Sequence, residues 1–250
     1  MKRIIWLISV MFLFSLIIAS CTSNQPAPAG ATYISVGTDA TVPPFENFNA
    51  KTQQIEGFDI EIMNAIAIRE NFNVDYKNVS FGHLMTDMAQ GKYDASISSI
   101  IINDEHKGDM LFSNPYFAAG QIIVVRADDN TITGKDTLTG PVGVQAGTTG
   151  EIEVKKIKSA VAQPYDKISL AFVDLVTEHL NAVVCSNWVA LQYVHNNPDK
   201  FKLAGKVFTD ESYGIAVAKG KTDLLGKINA GIKAIKSEGL IDQFSEKWFR

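Results

Sequence analysis

Seven short runs rich in β-branched and other apolar residues, at 33–36, 72–76, 93–97, 121–125, 142–144, 182–185 and 213–217, alternate with stretches of helical periodicity. Within 57–70, Ile62, Met63, Ile66 and Ala67 recur at the spacing that places them on one helical face, and Leu84, Met85, Met88 and Ala89 repeat it. Continuous apolar strands separated by helices favour parallel sheets covered on their faces by those helices. The expected fold class is α/β. Open sheets of this kind receive ligands in the crevice beyond the carboxyl ends of their strands. Residues just after strands are therefore where binding or chemistry is sought.

Three segments meet that condition. The first is Gly37-Thr38-Asp39 with Pro43-Pro44-Phe45 close behind, where Asp39 serves equally well as a ligand contact or as an Asx turn. The second is the pair Ser98 and Ser99, a weak signal alone because loop serines are common. The third is Gly147-Thr148-Thr149-Gly150-Glu151, which opens a helix with Thr148 and Glu151 at capping-box spacing. A cap of that kind is compatible with a site, since backbone N–H groups there receive polar or anionic ligands.

The beginning of the sequence points to export. Lys2 and Arg3 precede an uncharged apolar stretch over 4–18, followed by Ala19-Ser20-Cys21, the parts of a secretory signal. A transmembrane anchor is the alternative, but the stretch is shorter than the roughly 20 residues that a spanning helix requires. Ile18-Ala19-Ser20-Cys21 resembles a bacterial lipoprotein cleavage box, which implies a lipidated Cys21 and removal of residues 1–20. The segment 21–32 that follows is rich in Pro, Ala and polar residues, the composition of a tether. Cys185 is then left without a disulfide partner and reads as a buried, inert thiol.

Charge excludes one class of partner. Removing Lys2 and Arg3 with the signal takes the 23 basic residues to 21 against 27 acidic ones, a net charge of −6. No basic run with interleaved aromatics is present, which argues against nucleic acid. His83, His179 and His195 show no metal-ligand spacing and read as structural. No cofactor is expected.

In order along the chain, "VGTDATVPPFENF", "IEGFDIEIMNAIA", "GKYDASISS", "FSNPYF", "PVGVQAGTTGE", "YGIAVAKG" and "LIDQFSEKWFR" resemble the extracytoplasmic solute-binding proteins of ABC importers, specifically the polar amino acid family. The resemblance covers nearly the whole body. It implies a periplasmic-binding-protein-like fold, with two α/β lobes joined by two hinge crossings and a ligand cleft between them. Lobe one would comprise 33–119 plus 212–250 and lobe two 121–208, with hinges near Ala119-Gly120 and between Thr209 and Tyr213. The implied protein is an extracytoplasmic, lipid-anchored monomer that serves ABC importer membrane subunits. Closure of its lobes on the ligand would be the signal of occupancy.

Carried over residue by residue, the resemblance places Asp39, Phe81, Ser98, Ser99, Thr148 and Thr149 at the ligand. Other positions depart from the family pattern. His106 stands six residues before Phe112-Ser113, where the family carries an arginine, and Ser186, five residues after Asn181, stands where it carries an aspartate. Ile101 replaces a residue that is often polar, and Asn103 a usual threonine. An arginine fork grips a carboxylate with a permanent charge, whereas histidine offers at most two donors and is mostly neutral at pH 7. A serine cannot pair with an α-ammonium. Leaving one buried charge unpaired costs about 3–5 kcal/mol, and a zwitterion would present two. The expected ligand is thus a neutral polar or cationic solute, held by Asp39 and by stacking on Phe81, with Phe45 and Trp188 as further aromatic candidates. The alternative for His106 is a purely local bond to Asp104 or Glu105.

Two other functions compete. The family also includes cyclohexadienyl dehydratases, whose chemistry needs a carboxyl acid and a cation for the substrate carboxylate. Beyond the signal, the arginines are Arg69, Arg126 and Arg250, none at a matching pocket position, so a receptor is expected rather than an enzyme. A sensor module is a third reading, not favoured because no signalling domain accompanies the body.

Overall fold

A computed structural model describes residues 32–104 and 106–249. The expected signal, Cys21 and the tether through residue 31 lie outside the described residues, as do Glu105 and Arg250. From β1 (Thr32–Thr38) the chain forms an antiparallel flap of β2 (Thr41–Val42), β3 (Glu46–Asn49) and β4 (Gln54–Glu56), then α1 (Phe58–Arg69). There follow β5 (Phe72–Asn78), α2 (Phe81–Ala89), β6 (Ala95–Ser96) and β7 (Met110–Phe112). β8 (Phe117–Ala119) leads to β9 (Gln121–Arg126), β10 (Gly140–Gln145), α3 (Thr149–Lys155), β11 (Ala160–Tyr165), α4 (Ile168–Val176), β12 (Ala182–Ser186), α5 (Asn187–Asn196) and β13 (Phe201–Ala204). The chain returns through β14 (Glu211–Tyr213) to β15 (Ala216–Ala218), α6 (Thr222–Ser237) and α7 (Leu240–Trp248).

Two five-stranded sheets result, ordered β5-β1-β6-β15-β7 and β11-β10-β12-β9-β13, each in its own α/β lobe. Ile62, Met63, Ile66 and Ala67 are buried together on α1, against β1, β5 and α6, as their spacing requires. The sheets are mixed, not parallel. β1 pairs in parallel with β5 and β6, and β10 with β11 and β12, but β15 and β9 run antiparallel to their neighbours. The reason is connectivity. β9 and β15 are entered from the crossings, so they start at the cleft where their neighbours end.

The chain passes between the lobes twice, and β8 and β14 pair antiparallel at that passage, with Phe117 opposite Tyr213. Gly120 lies at the tightest point, where a Cβ would sit 2.4 Å from Val207 Cγ1 and 2.5 Å from the Thr209 carbonyl oxygen. The expected single strand over 213–217 is two strands, β14 and β15. Gly214 separates them, packed so closely that a Cβ there would meet Ile102 Cγ1 at 2.5 Å.

An aromatic cluster braces the passage. Phe45 contacts Phe58, Phe117 and Tyr213 at ring-centroid distances of 5.9, 6.0 and 5.4 Å, and Trp188 from α5 contacts Phe117 at 5.1 Å. Phe45, Phe58 and Tyr213 are fully buried, and burial of each such side chain contributes about 1.5–3 kcal/mol. Phe45 and Trp188 thus belong to the join between lobes rather than to a ligand stack.

Candidate ligand-binding site

The cleft holds a cavity of about 70 Å³ of water-accessible volume. A single ordered water needs about 10–15 Å³ on this measure, so the space suits a small solute. Eight expected residues line it: Phe81, Ser98, Ser99, Ile101 and His106 from one lobe, and Thr148, Thr149 and Ser186 from the other. Their positions follow from the fold. Phe81 opens α2, Ser98 and Ser99 follow β6, Thr148 caps α3, and Ser186 ends β12.

Asp39 does not line the cavity. It is 1 % exposed, and its carboxylate accepts from Thr41 Oγ1 at 2.7 Å, the Phe81 N–H at 3.0 Å and Gln145 Nε2 at 3.1 Å. Burial raises its pKa, and these hydrogen bonds oppose the rise. Its role here is to tie the start of α2 to the end of β10.

Ser98 is also engaged. Its Oγ accepts from the Asp39 N–H at 2.9 Å and donates to Glu46 Oε1 at 3.1 Å. Ser99 is different: its backbone N–H donates to Asp59 Oδ2 at 2.7 Å, but its buried hydroxyl has no partner among the described residues. Its φ of 49° is the left-handed region, a conformation that costs a non-glycine residue of order 1–3 kcal/mol and clusters at ligand clamps. Ser99 is therefore the hydroxyl on this wall that is free to meet a ligand.

Two carboxyl groups back that wall, Glu46 within the lining and Asp59 outside it, both fully buried. Burial pushes the Glu46 carboxyl well above the usual carboxylate range, and the neighbouring Asp59 charge adds to the rise. Burial likewise raises Asp59, to about 6, against hydrogen bonds from the Ser99 N–H and Tyr116.

On the second lobe, Thr148 caps α3 as expected, accepting from the Glu151 N–H at 3.4 Å, while the Glu151 carboxylate accepts from the Gly147 N–H at 2.8 Å. Ser186 Oγ bonds the hydroxyl of the buried Tyr213, which fixes it at the lobe junction. His106 reaches the cavity on a turn whose backbone N–H donates to Asn103 Oδ1 at 3.1 Å. Cys185 is buried and also lines the cavity, and burial pushes its thiol far up. The described arginines are elsewhere: Arg69 pairs with Glu238, and Arg126 donates to the Leu180 carbonyl at 3.0 Å.

Sequence reasoning missed Glu46, Gln121 and Gln145, all in the lining. Gln121 bridges the cavity to the return crossing, donating from Nε2 to Glu211 Oε2 at 3.0 Å. A signal existed for both glutamines: each is a polar residue at the cleft end of a strand whose interior is apolar.

The family model of bacterial extracellular solute-binding proteins, family 3, matches residues 34–250. A probable histidine-binding protein of Neisseria gonorrhoeae is 30% identical over 257 residues, covering 98% of this chain and 95% of that protein. ABC transporter arginine-binding protein 1 of Escherichia coli K12 is 30% identical over 239 residues, covering 93% of this chain and 96% of its own length. Among solved structures, an ancestral arginine-binding protein bound to arginine superposes with a TM-score of 0.81 at 39% identity, over 87% of this chain and 98% of that one. The family and these relatives are binding proteins, which supports the receptor reading and does not favour the dehydratase alternative. With its two lobes, double crossing and solute-sized cleft, this chain belongs to the bacterial extracellular solute-binding proteins, family 3.

Proposed function

We propose that this extracytoplasmic receptor delivers a small neutral or cationic relative of an amino acid to an ABC importer, and that it does not receive ordinary zwitterionic α-amino acids. The observation that carries this reading is the cavity lining. Its ionisable side chains among the described residues are Glu46, His106 and Cys185, with no arginine or lysine. A ligand α-carboxylate would meet no permanent cation there. An α-ammonium directed at Ser186 would meet a hydroxyl already bonded to Tyr213. The named ligands of the relatives, histidine and arginine, fix the chemical neighbourhood but not this pocket's charges.

Lobe one is taken as 33–119 plus 212–250 and lobe two as 121–208, with the paired β8 and β14 as the hinge about which the lobes close. Cys21 is taken as the lipid anchor of a monomer, and Cys21→Ser should release the protein from membranes. Calorimetry with the common L-amino acids tests the ligand class. Binding is expected to be absent or millimolar, and micromolar binding of any of them overturns it.

A further inference from the structure

Much of the cavity wall is apolar. Val42, Ile168, Cys185 and Val189 line it and belong to one buried cluster. Val42 comes from the flap of lobe one, whereas Ile168 at the start of α4, Cys185 on β12 and Val189 on α5 come from lobe two. Phe81 and Met85 of α2 add to the wall from the side of lobe one. This apolar wall is complete only where the flap meets lobe two, so closing the lobes is what encloses an apolar body.

The polar groups left for a ligand are few, and none is an open anion. Glu46 lies in the lining but is 0 % exposed, with Oε1 accepting from Ser98 Oγ at 3.1 Å and Oε2 enclosed. Asp39 and Asp59 are not in the lining. Gln121, Gln145 and Thr148 already donate to Glu211, Asp39 and the Gln145 carbonyl, and Ser186 bonds Tyr213. The Ser99 and Thr149 hydroxyls, the Asn103 amide nitrogen and the His106 imidazole remain to meet a ligand. Together they donate and accept. An uncharged head that also does both, such as a primary amide, satisfies them. An ammonium finds no open carboxylate and a carboxylate finds no permanent cation. Leaving either buried and unpaired costs roughly a hundredfold or more in affinity.

We propose that the cavity selects a small uncharged solute with a short aliphatic body, its polar head at Ser99 and His106 and its body against Val42, Ile168, Cys185 and Val189. This rests on the non-zwitterionic reading above and narrows it from neutral or cationic to neutral. The cavity volume of about 70 Å³ sets the length of the body. It has room for about five waters, which admits a short chain and excludes a long one.

Four probes separate head from body. Isovaleramide, isoamylamine and isovalerate share a branched aliphatic body and differ in the charge of the head, and acetamide keeps the amide without the body. Titration followed by NMR at pH 7 should find isovaleramide bound roughly a hundredfold or more tighter than isoamylamine or isovalerate. It should also bind roughly fiftyfold tighter than acetamide, which lacks the three outer carbons. Val189→Ala should narrow the preference for isovaleramide over acetamide by roughly tenfold. Should the variant not fold, the four-probe comparison on the wild type alone decides. The proposal is overturned by acetamide matching isovaleramide, by an unchanged preference in folded Val189→Ala, or by no binding of isovaleramide at millimolar concentration. If isoamylamine binds as tightly as isovaleramide or more so, the uncharged head is overturned while the non-zwitterionic reading stands. Micromolar binding of L-leucine that Val189→Ala weakens supports the aliphatic subsite and overturns the non-zwitterionic reading.

Discussion

Gln145 at the end of β10 donates its side-chain amide to Asp39, the residue just after β1, 3.1 Å away across the cleft. The bond joins the two lobes directly, and it anchors on a carboxylate already fixed by Phe81 and Thr41. It therefore stabilises the closed arrangement without any contribution from ligand charge.

Gln145→Ala should weaken closure. A hydrogen bond to a charged group contributes about 1.5–3 kcal/mol, so cognate affinity should fall roughly ten- to hundredfold. Small-angle scattering should find the variant more open at equal ligand concentration. Unchanged affinity would remove the Gln145–Asp39 bond from the closing mechanism.

The buried acid pair gives a pH dependence with a definite sign. Glu46 and Asp59 both titrate higher in the folded protein than their ordinary values, so between those values the native state holds more protons than the unfolded one. Stability from these groups is fully present below the ordinary carboxylate range and is lost as pH rises through the folded values, from about 4 past about 6 for Asp59. Glu46→Gln removes one of the two buried carboxyl groups and should flatten that fall. At pH 8 the ligand-free variant should be more stable than wild type by about 1 kcal/mol, or about 2–4 °C in Tm. Parallel Tm-versus-pH curves for the two proteins would show that the pair is not the source.

Ser99 offers a separation of stability from binding. Its hydroxyl is buried without a partner among the described residues, so Ser99→Ala removes an unsatisfied group that costs about 1–3 kcal/mol. The ligand-free variant should be as stable as wild type or more so, while ligand affinity falls about fivefold or more. Loss of stability with unchanged affinity would make Ser99 a structural residue.

The legible part of this protein was the part governed by periodicity. The buried face of α1 and the buried Leu84, Met85 and Met88 of α2 follow from apolar spacing, though Ala89, expected on the same face, is exposed, and the cleft loops follow from where strands end. Less legible was anything set by the return of the chain. The antiparallel direction of β9 and β15 depends on the crossings, and nothing in the runs 121–125 or 213–217 encodes direction. The aromatic residues show the same limit. Phe45 and Trp188 look like stacking partners in a sequence, and only the packing around Phe117 and Tyr213 assigns them to the junction. Glu46 was hidden because a strand glutamate normally faces water, and its burial depends on Asp59 and Ser98 arriving from elsewhere in the chain.

The last prediction joins the two positions where the pocket departs from its family. His106 and Ser186 both line the cavity from opposite lobes, so a ligand between them would meet both. Restoring charge at one alone, by His106→Arg or Ser186→Asp, leaves the other end of a zwitterion unpaired and adds a buried charge to the empty site. Ser186→Asp also gives up the bond to Tyr213. Each single change should therefore leave amino acid binding weak. The double change satisfies carboxylate and ammonium together, and its gain in free energy should exceed the sum of the single effects by about 0.5–3 kcal/mol, the range for residues coupled through a shared partner. Calorimetry with L-arginine and L-glutamine across wild type, both single variants and the double variant measures that coupling. Additive effects would mean that the two residues do not meet one ligand, and the pocket's charge would then have to be sought in Glu46 and its neighbours.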